Sequence, residues 1–204
     1  MPFKKLNQPL KDVLEHLEIV ESTPLQKLAI PKIKSGADTF IIAPDGSGKT
    51  TALIISTLQK LKSQPERDNP RALIFVEDKK AALALEEEFK RFTQQMDLRI
   101  YSAYEEQNRE KQRDAIYAGM DIVIGTQKRI HKLYHLNGLN LGELKMLAVA
   151  DANLLPQGSF ATEIIRITES LPRCQFLVFS NVNNKKLDYL RGYFMDNAQL
   201  VEIK

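Results

Sequence analysis

The segment APDGSGKT at positions 43–50 combines residue types and a spacing that suit the binding of phosphate. Gly46 and Gly48 allow a tight turn that brings backbone N–H groups close to a polyphosphate. A helix beginning at this point would add the partial positive charge of its N-terminus. Lys49 would supply a full positive charge to the outer phosphates, and the Thr50 hydroxyl could bind Mg²⁺. The segment therefore predicts a P-loop for a nucleoside triphosphate.

Two predicted elements must hold this turn in place. Residues 40–42 form a short apolar run that predicts a buried strand, and residues 51–58 predict a helix with an apolar face. A strand, a glycine-rich turn, Lys-Thr and a helix are the context that a P-loop requires. Ala43 stands where the strict pattern has its first glycine, so an ordinary strand-to-helix turn is the alternative. The sequence GSGKT directly after a buried strand favours the P-loop.

The composition is typical of a globular protein. The 204 residues suffice for one large α/β domain or two small ones, with 43% hydrophobic and 27% charged residues. A formal net charge of +3 permits a nucleic-acid partner without requiring one. Cys174 is the single cysteine, which excludes a disulfide within the chain and a thiolate metal cluster. No apolar run could cross a bilayer and the N-terminus lacks a signal-peptide core, so we expect a cytoplasmic protein without a membrane partner.

Apolar strands alternate with amphipathic helices along the chain. This order predicts an α/β domain with a mostly parallel central sheet and helices on both faces. Ligands bind such sheets at the carboxyl ends of the strands, so the P-loop and the turns after other strands should share one edge. The predicted strands span 40–42, 72–76, 98–101, 121–124, 147–149, 175–179 and 200–203. The predicted helices span 9–17, 24–34, 51–58, 79–92, 109–117, 127–136, 160–171 and 185–194.

The order of the motifs resembles that of the N-terminal RecA-like domain of DEAD-box ATP-dependent RNA helicases over nearly the whole chain. The sequence TPLQ at 23–26, followed by AIP at 29–31, resembles the Q-motif, in which Gln26 would bind the edge of adenine. Phe3 resembles the upstream aromatic residue that stacks on the base, with packing on the core as the alternative. Motif I of the family itself carries alanine at its first position, which accounts for Ala43. The resemblance implies that ATP is held by Phe3, Gln26, Gly46, Ser47, Gly48, Lys49 and Thr50.

Further segments resemble the motifs with which the family contacts RNA and couples it to the nucleotide. The strand at 121–126, followed by Arg129, resembles the strand and turn that hold the RNA backbone. Ser180 resembles motif III, which performs the coupling. These side chains could instead be ordinary solvated ones. The resemblance implies RNA contacts from Lys79, Thr126, Lys128 and Arg129.

The largest departure from the family lies in motif II. Alignment on Phe160 and on the strand at 147–149 places the family's Asp-Glu-Ala-Asp on the sequence ADAN at 150–153. The acid that holds Mg²⁺ through water becomes Ala150. The acid that activates the attacking water becomes the shorter Asp151.

Phosphoryl transfer depends mainly on placing the metal and the water, so these changes should cost orders of magnitude in rate. A slip of one residue would place Asp151 at the metal position, and an ordinary acid at a strand end is a further alternative. The resemblance implies Lys49 and Asp151 as catalytic residues, and Thr50 and Asp151 as the residues that hold Mg²⁺.

Other departures place acidic groups where phosphate would approach. Motif Ia carries EDKK at 77–80, in which Lys79 keeps the basic role. The double glycine of the family falls near Glu105 and Glu106. Asp45 adds a negative charge within the P-loop itself.

The resemblance implies that residues 1–204 form a single RecA-like domain, with a Q-motif region at 1–35 and a P-loop core at 36–204. Members of the family close a second RecA-like domain over ATP and RNA. That domain is absent from this chain, so we expect a fragment of a longer protein or an unusual single-domain relative.

The predicted function is that of the ATP-binding domain of an RNA helicase, with ATP and Mg²⁺ as cofactors and with RNA and a second RecA-like domain as partners. The alternative is a catalytically impaired relative that binds ATP and RNA as a switch or scaffold. A P-loop kinase or another NTPase is disfavoured by Gln26 and by the order of the motifs.

Overall fold

The structure of the chain, a computed structural model, describes residues 2–154, 164, 166–171, 173–183 and 185–204. Within these residues a sheet of seven strands forms the central layer. The strands are β1 (Thr39–Ile42), β2 (Ala72–Val76), β3 (Ile100–Ala103), β4 (Ile122–Thr126), β5 (Met146–Val149), β6 (Gln175–Ser180) and β7 (Gln199–Glu202). Their order across the sheet is β3-β4-β2-β5-β6-β1-β7, and the recorded pairs are all parallel. The predicted α/β fold with a mostly parallel sheet is confirmed.

Helices cover both faces of the sheet, and two clusters of buried apolar side chains mark these faces. Ile41 and Ile74 belong to one cluster, with residues of the first four helices, whereas their neighbours Ile42 and Phe75 belong to the other. Successive side chains of a strand point to opposite faces, so each strand contributes to both clusters. The described helices are α1 (Gln8–His16), α2 (Pro24–Lys34), α3 (Lys49–Lys60), α4 (Lys79–Thr93), α5 (Arg109–Tyr117), α6 (Gln127–His135) and α7 (Lys185–Phe194), preceded by a 3₁₀ segment, Pro2–Lys5.

Side-chain caps determine where four of these helices begin. Asn7, Thr23, Asp78 and Asn108 precede α1, α2, α4 and α5, and each accepts a hydrogen bond from the backbone N–H three residues later. Such a cap satisfies an N–H group that the helix itself leaves without a partner. The starts of these helices therefore follow from the local sequence.

One predicted strand lies two residues too early, and one predicted helix lies partly beyond the described residues. Strand β3 begins at Ile100 rather than at 98, because the backbone N–H of Arg99 binds the Asp121 carboxylate instead of a neighbouring strand. Of the helix predicted at 160–171, residues 164 and 166–169 are helical. Phe160, on which motif II was aligned, lies outside the described residues.

A buried carboxylate, Asp121, holds the amino ends of three neighbouring strands. It is 0% exposed and precedes β4. It accepts hydrogen bonds from Arg71 Nη2 at 2.6 Å, from Arg99 Nε at 2.9 Å and from the Arg99 backbone N–H at 3.1 Å. Burial alone would raise the pKa of Asp121, but the hydrogen bonds from Arg99 and Arg71 outweigh it and hold the pKa below its ordinary value. Since Arg71 precedes β2 and Arg99 precedes β3, this carboxylate fixes the edge opposite to the P-loop.

Replacing this carboxylate by an amide should destabilise the whole domain. Asp121→Asn leaves Arg71, which is 1% exposed, without its buried counter-charge. Only the half-exposed Glu66 carboxylate, 3.4 Å from Arg71 Nη1, remains. We expect the free energy of unfolding to fall by about 3 kcal/mol, as when one partner of a buried ion pair is removed. Urea-induced unfolding followed by circular dichroism measures this change.

Asp114→Asn is the matched control, because Asp114 is exposed and its ion pair with Arg113 lies in solvent; its effect should stay within about 0.5 kcal/mol. The pKa of Asp121 is lowered in the folded state, so its stabilisation is complete above the ordinary value of 3.8 and is lost as the pH falls below it. The wild type should therefore lose more stability on acidification than Asp121→Asn does. Equal stability of the wild type and Asp121→Asn at neutral pH would show that the contacts of Asp121 with Arg71 and Arg99 do not stabilise the domain.

Candidate nucleotide-binding site

The predicted P-loop forms the turn between β1 and α3, at the carboxyl end of the strand. Gly46 and Gly48 have φ angles of 77° and 91°, in the left-handed region that favours glycine. A Cβ atom at Gly48 would lie 2.5 Å from Gln26 Nε2, so a larger residue would push the Q-motif away. Gly48 is the N-cap of α3 and has no side chain, so it leaves the first N–H groups of the helix without a side-chain cap. The N-terminus of α3 is thus suited to an anionic ligand.

Lys49 is buried, and its ammonium group lies against the P-loop itself. Its Nζ donates to the backbone carbonyls of Ala43 at 2.8 Å and Pro44 at 2.9 Å, and lies 3.6 Å from Asp45 Oδ1. The hydroxyl of Ser47 is buried in the same loop without a hydrogen-bond partner among the described residues. A buried hydroxyl without a partner is free to bind a polar ligand, and Lys49 can exchange its carbonyl contacts for phosphate oxygens.

Thr23 and Gln26 join the start of α2 to the P-loop. They form a capping box, in which Thr23 Oγ1 accepts from the Gln26 N–H and Gln26 Oε1 accepts from the Thr23 N–H. Thr23 Oγ1 also donates to the Ser47 carbonyl at 2.8 Å, and Gln26 Nε2 donates to the Gly48 carbonyl at 3.3 Å. Gln26 is 3% exposed, and its contact with adenine stays a prediction. The role of Thr23 was not predicted, although the spacing Thr-x-x-Gln is the signal of a capping box.

Phe3 lies in the 3₁₀ segment that precedes α1. Its half-buried side chain packs against the apolar cluster that contains Ile41, Ile74 and residues of the first four helices. This contact agrees with the alternative that Phe3 packs on the core. Stacking of Phe3 on a base stays a prediction.

All three predicted catalytic and metal-binding residues, Lys49, Thr50 and Asp151, line one cavity. The cavity has a volume of about 270 Å³ and lies between α3, α4 and the end of β5. Burial raises the pKa of Asp151, while the nearby charge of Lys49 acts in the opposite direction. Ala150 lines the same cavity, so the position expected to hold the metal acid adds no carboxylate. Apolar side chains, including Leu53, Val76, Leu85 and Phe179, form much of the remaining wall.

The fit of this cavity to Mg²⁺ depends on the nucleotide. The described residues contain no group of three or more His, Cys, Asp or Glu side chains that could hold a metal ion. Protein-bound Mg²⁺ usually keeps several waters and takes only one or two carboxylates besides the phosphates of its substrate. The Thr50 hydroxyl and the Asp151 carboxylate match that smaller requirement. They fit a magnesium ion that arrives with a nucleotide.

A chain of hydrogen bonds connects the motif II segment to the P-loop. Asn153 Oδ1 lies 3.1 Å from Ser180 Oγ and accepts from the Asn181 backbone N–H at 2.9 Å. The Asn181 side chain in turn donates to Asp45 Oδ1 at 2.9 Å. Ser180, predicted to couple the nucleotide to RNA, is therefore in contact with motif II. From the sequence, Asn153 was only a departure from the family, and no local pattern indicated that Asn181 contacts Asp45.

The predicted RNA contacts lie together at the carboxyl ends of β2 and β4, but their environments differ. Lys79 and Lys128 are exposed, and Lys79 Nζ lies 5.2 Å from the centre of the Tyr104 ring. Thr126 and Arg129 are buried, and both bind the loop that follows β3. Contact of these four residues with RNA stays a prediction.

Comparison with known proteins identifies the family. The sequence model of the DEAD/DEAH box helicases matches residues 23–189. The chain belongs to this family. It is 28% identical over 207 residues to the ATP-dependent RNA helicase RhlB of Salmonella dublin, covering 98% of this chain and 49% of that protein. It is 29% identical over 201 residues to RhlB of Yersinia pestis (strain Pestoides F), covering 95% of this chain and 47% of that protein.

A solved structure of the yeast DEAD-box splicing factor Prp28 has the same fold. It superimposes with a TM-score of 0.83 over 92% of this chain and 48% of that one, at 22% sequence identity. This DEAD/DEAH box domain thus spans about half the length of the curated relatives it matches. Among the described residues, no helix combines the length and the apolar character needed to cross a membrane.

Loss of the Gln26 side chain should loosen the P-loop of this DEAD/DEAH box domain. Gln26→Ala removes half of the capping box and the hydrogen bond to Gly48. We expect the free energy of unfolding to fall by about 1–2 kcal/mol, measured by urea denaturation. Gln95→Ala, at an exposed position after α4, is the control and should change little. If the two variants are equally stable, the contact between the Q-motif and the P-loop does not stabilise the domain.

Proposed function

We propose that this chain is the ATP-binding RecA-like domain of an ATP-dependent RNA helicase. It would couple the binding and hydrolysis of ATP to the binding and unwinding of RNA, together with a second RecA-like domain. The observation that carries this proposal is the convergence of Lys49, Thr50 and Asp151 on one cavity beside a P-loop that Gln26 holds in place. The family supports the same assignment, since the relatives named above are ATP-dependent RNA helicases.

Each residue at the P-loop has a role that follows from its position. The N-terminus of α3 and the Ser47 hydroxyl would bind phosphate oxygens, and Lys49 would neutralise the outer phosphates. Thr50 and Asp151 would hold Mg²⁺, which when bound neutralises charge that develops on the phosphates. Asp151 would also orient the attacking water, since its carboxylate lines the same cavity as Lys49.

The remaining parts of the proposal concern the partners. Lys79, Thr126, Lys128 and Arg129 would contact the RNA backbone at the carboxyl ends of β2 and β4. A second RecA-like domain would close over the cavity and complete the catalytic site. A cytoplasmic location stays a prediction of the sequence.

A specific observation favours a second candidate, which is a domain that binds ATP without hydrolysing it. Ala150 lines the cavity at the position where the resemblance expects the acid that holds the metal. Asp151 is the acid that follows Ala150, and burial raises its pKa. The missing carboxylate at position 150 weakens the placement of metal and water on which hydrolysis depends.

Titration of ATP and ADP into the chain by calorimetry tests the proposed function. Lys49→Ala should weaken ATP binding by at least about tenfold, because a charge-assisted hydrogen bond contributes about 1.5–3 kcal/mol. Added Mg²⁺ should strengthen binding if Thr50 and Asp151 hold the ion. Lys90→Ala, which removes an exposed lysine of α4, is the control and should bind ATP as the wild type does. Absence of ATP binding by the wild type would contradict the assignment.

Restoring an acid at position 150 distinguishes the two candidates. Ala150→Asp should make ATP binding more dependent on Mg²⁺, because it adds a carboxylate next to Thr50 and Asp151. Ala84→Asp is the matched control, since Ala84 lines the same cavity from α4. If the wild type already requires Mg²⁺ and Ala150→Asp adds nothing, the alanine at position 150 no longer favours the second candidate. If only Ala150→Asp responds to Mg²⁺, the wild-type site lacks the acid that hydrolysis needs.

A further inference from the structure

The loop at 104–108, which follows β3, folds over the start of α6. Arg129 Nη2 donates to the backbone carbonyls of Glu105 at 2.5 Å and Gln107 at 3.0 Å. The side chain of Gln112, which is fully buried, donates to Gln107 Oε1 at 3.0 Å. These contacts fix the backbone of the loop and thereby the position from which the Glu105 side chain extends.

The Glu105 carboxylate binds the side chain of Thr126. Thr126 Oγ1 donates to Glu105 Oε2 at 2.6 Å, a distance typical of a hydroxyl bound to a charged carboxylate. Thr126 is the N-cap of α6, yet its side chain makes no capping bond. The hydroxyl is directed to Glu105 instead. A negatively charged carboxylate thus lies beside the N-terminus of a helix, where the helix dipole stabilises an anion.

A carboxylate in this place has the chemistry of a bound phosphate. Both groups are anionic, and both accept hydrogen bonds from hydroxyl groups. Lys128, an exposed residue, belongs to the same first turn of α6. The Thr126 hydroxyl carries one proton, so it cannot donate to Glu105 and to an RNA phosphate at the same time.

We propose that Glu105 occupies a phosphate position of the RNA-binding edge and competes with RNA for Thr126. RNA binds tightly only when the Glu105 side chain leaves this position, so Glu105 sets the affinity of the domain for RNA. This inference rests on the proposed function, because it assumes that Thr126 contacts the RNA backbone. Arg129 is held by backbone carbonyls, so a change of the Glu105 side chain leaves its contacts in place.

Removal of the competing carboxylate should strengthen RNA binding. The 204-residue chain and its Glu105→Ala variant are titrated into a short fluorescein-labelled oligouridylate, and fluorescence anisotropy reports binding. We expect the variant to bind about tenfold more tightly, the factor that corresponds to releasing one hydrogen bond to a charged group. The gain should persist at physiological ionic strength, because competition for a proton donor is not screened by salt.

Glu106→Ala is the matched control for this experiment. Glu106 is the next residue, is exposed and carries the same charge. The hydrogen bonds that Thr126 and Arg129 donate are accepted by Glu105 instead. Removal of the Glu106 side chain lowers only the general repulsion of RNA. We expect a gain of about twofold at low ionic strength, which disappears as salt is added.

A second background separates competition from a change in loop structure. Thr126→Val removes the hydroxyl for which Glu105 and RNA compete. In this background, Glu105→Ala should gain no more than Glu106→Ala does. Melting curves of each variant, followed by circular dichroism, establish whether the domain is folded. If the Thr126→Val variant does not fold, the comparison of Glu105→Ala with Glu106→Ala alone decides the test.

The outcomes distinguish failure of this inference from failure of the proposed function. Equal gains for Glu105→Ala and Glu106→Ala, with measurable binding of RNA, overturn the competition and leave the proposed function intact. A gain by Glu105→Ala that survives in the Thr126→Val background also overturns it. If no variant binds RNA at low ionic strength although ATP binds, both this inference and the RNA part of the proposed function fail.

Discussion

The buried carboxylate of Asp121 is the interaction on which the arrangement of the sheet depends. It receives hydrogen bonds from residues that precede β2 and β3 and itself precedes β4, so it fixes the register of three strands at their amino ends. With these ends aligned, the turns that carry Lys79, Glu105 and Thr126 meet at the opposite edge. The residues proposed to bind ligands therefore lie far from the contact that secures the fold, and the two can change independently.

The P-loop is held from both sides by side chains rather than by its own turn alone. From one side, Thr23 and Gln26 bind the carbonyls of Ser47 and Gly48. From the other, Asn181 binds Asp45 and joins the loop to the segment after β5. A rearrangement of the P-loop on binding a nucleotide would thus change contacts both at the start of α2 and at the end of β6. The connection through Asn181 is a physical route by which the nucleotide could influence the rest of the carboxyl edge.

The parts of the structure that the sequence predicted are those determined by local pattern. The parallel sheet follows from apolar runs alternating with helices, and the P-loop from GSGKT after a strand. The contacts that the sequence could not predict join residues far apart in the chain, such as Asn153 with Ser180 and Glu105 with Thr126. By resemblance to the family, Glu105 and Asn153 were only departures. In the structure, Glu105 contacts Thr126 and Asn153 contacts Ser180. These contacts form where two turns meet at one edge of the sheet, so no local pattern in the sequence predicts them.

The Lys49 ammonium group must leave its own loop before it can bind a phosphate. It is bound to the carbonyls of Ala43 and Pro44 and lies near Asp45, so the conformation that receives phosphate differs from this one. The apparent dissociation constant of a ligand equals its intrinsic value divided by the fraction of molecules in the receptive conformation. Weak affinity in the isolated domain would then reflect a lysine occupied by its own loop rather than poor complementarity to ATP. Any partner that favours the released lysine would act as a positive effector without touching the nucleotide.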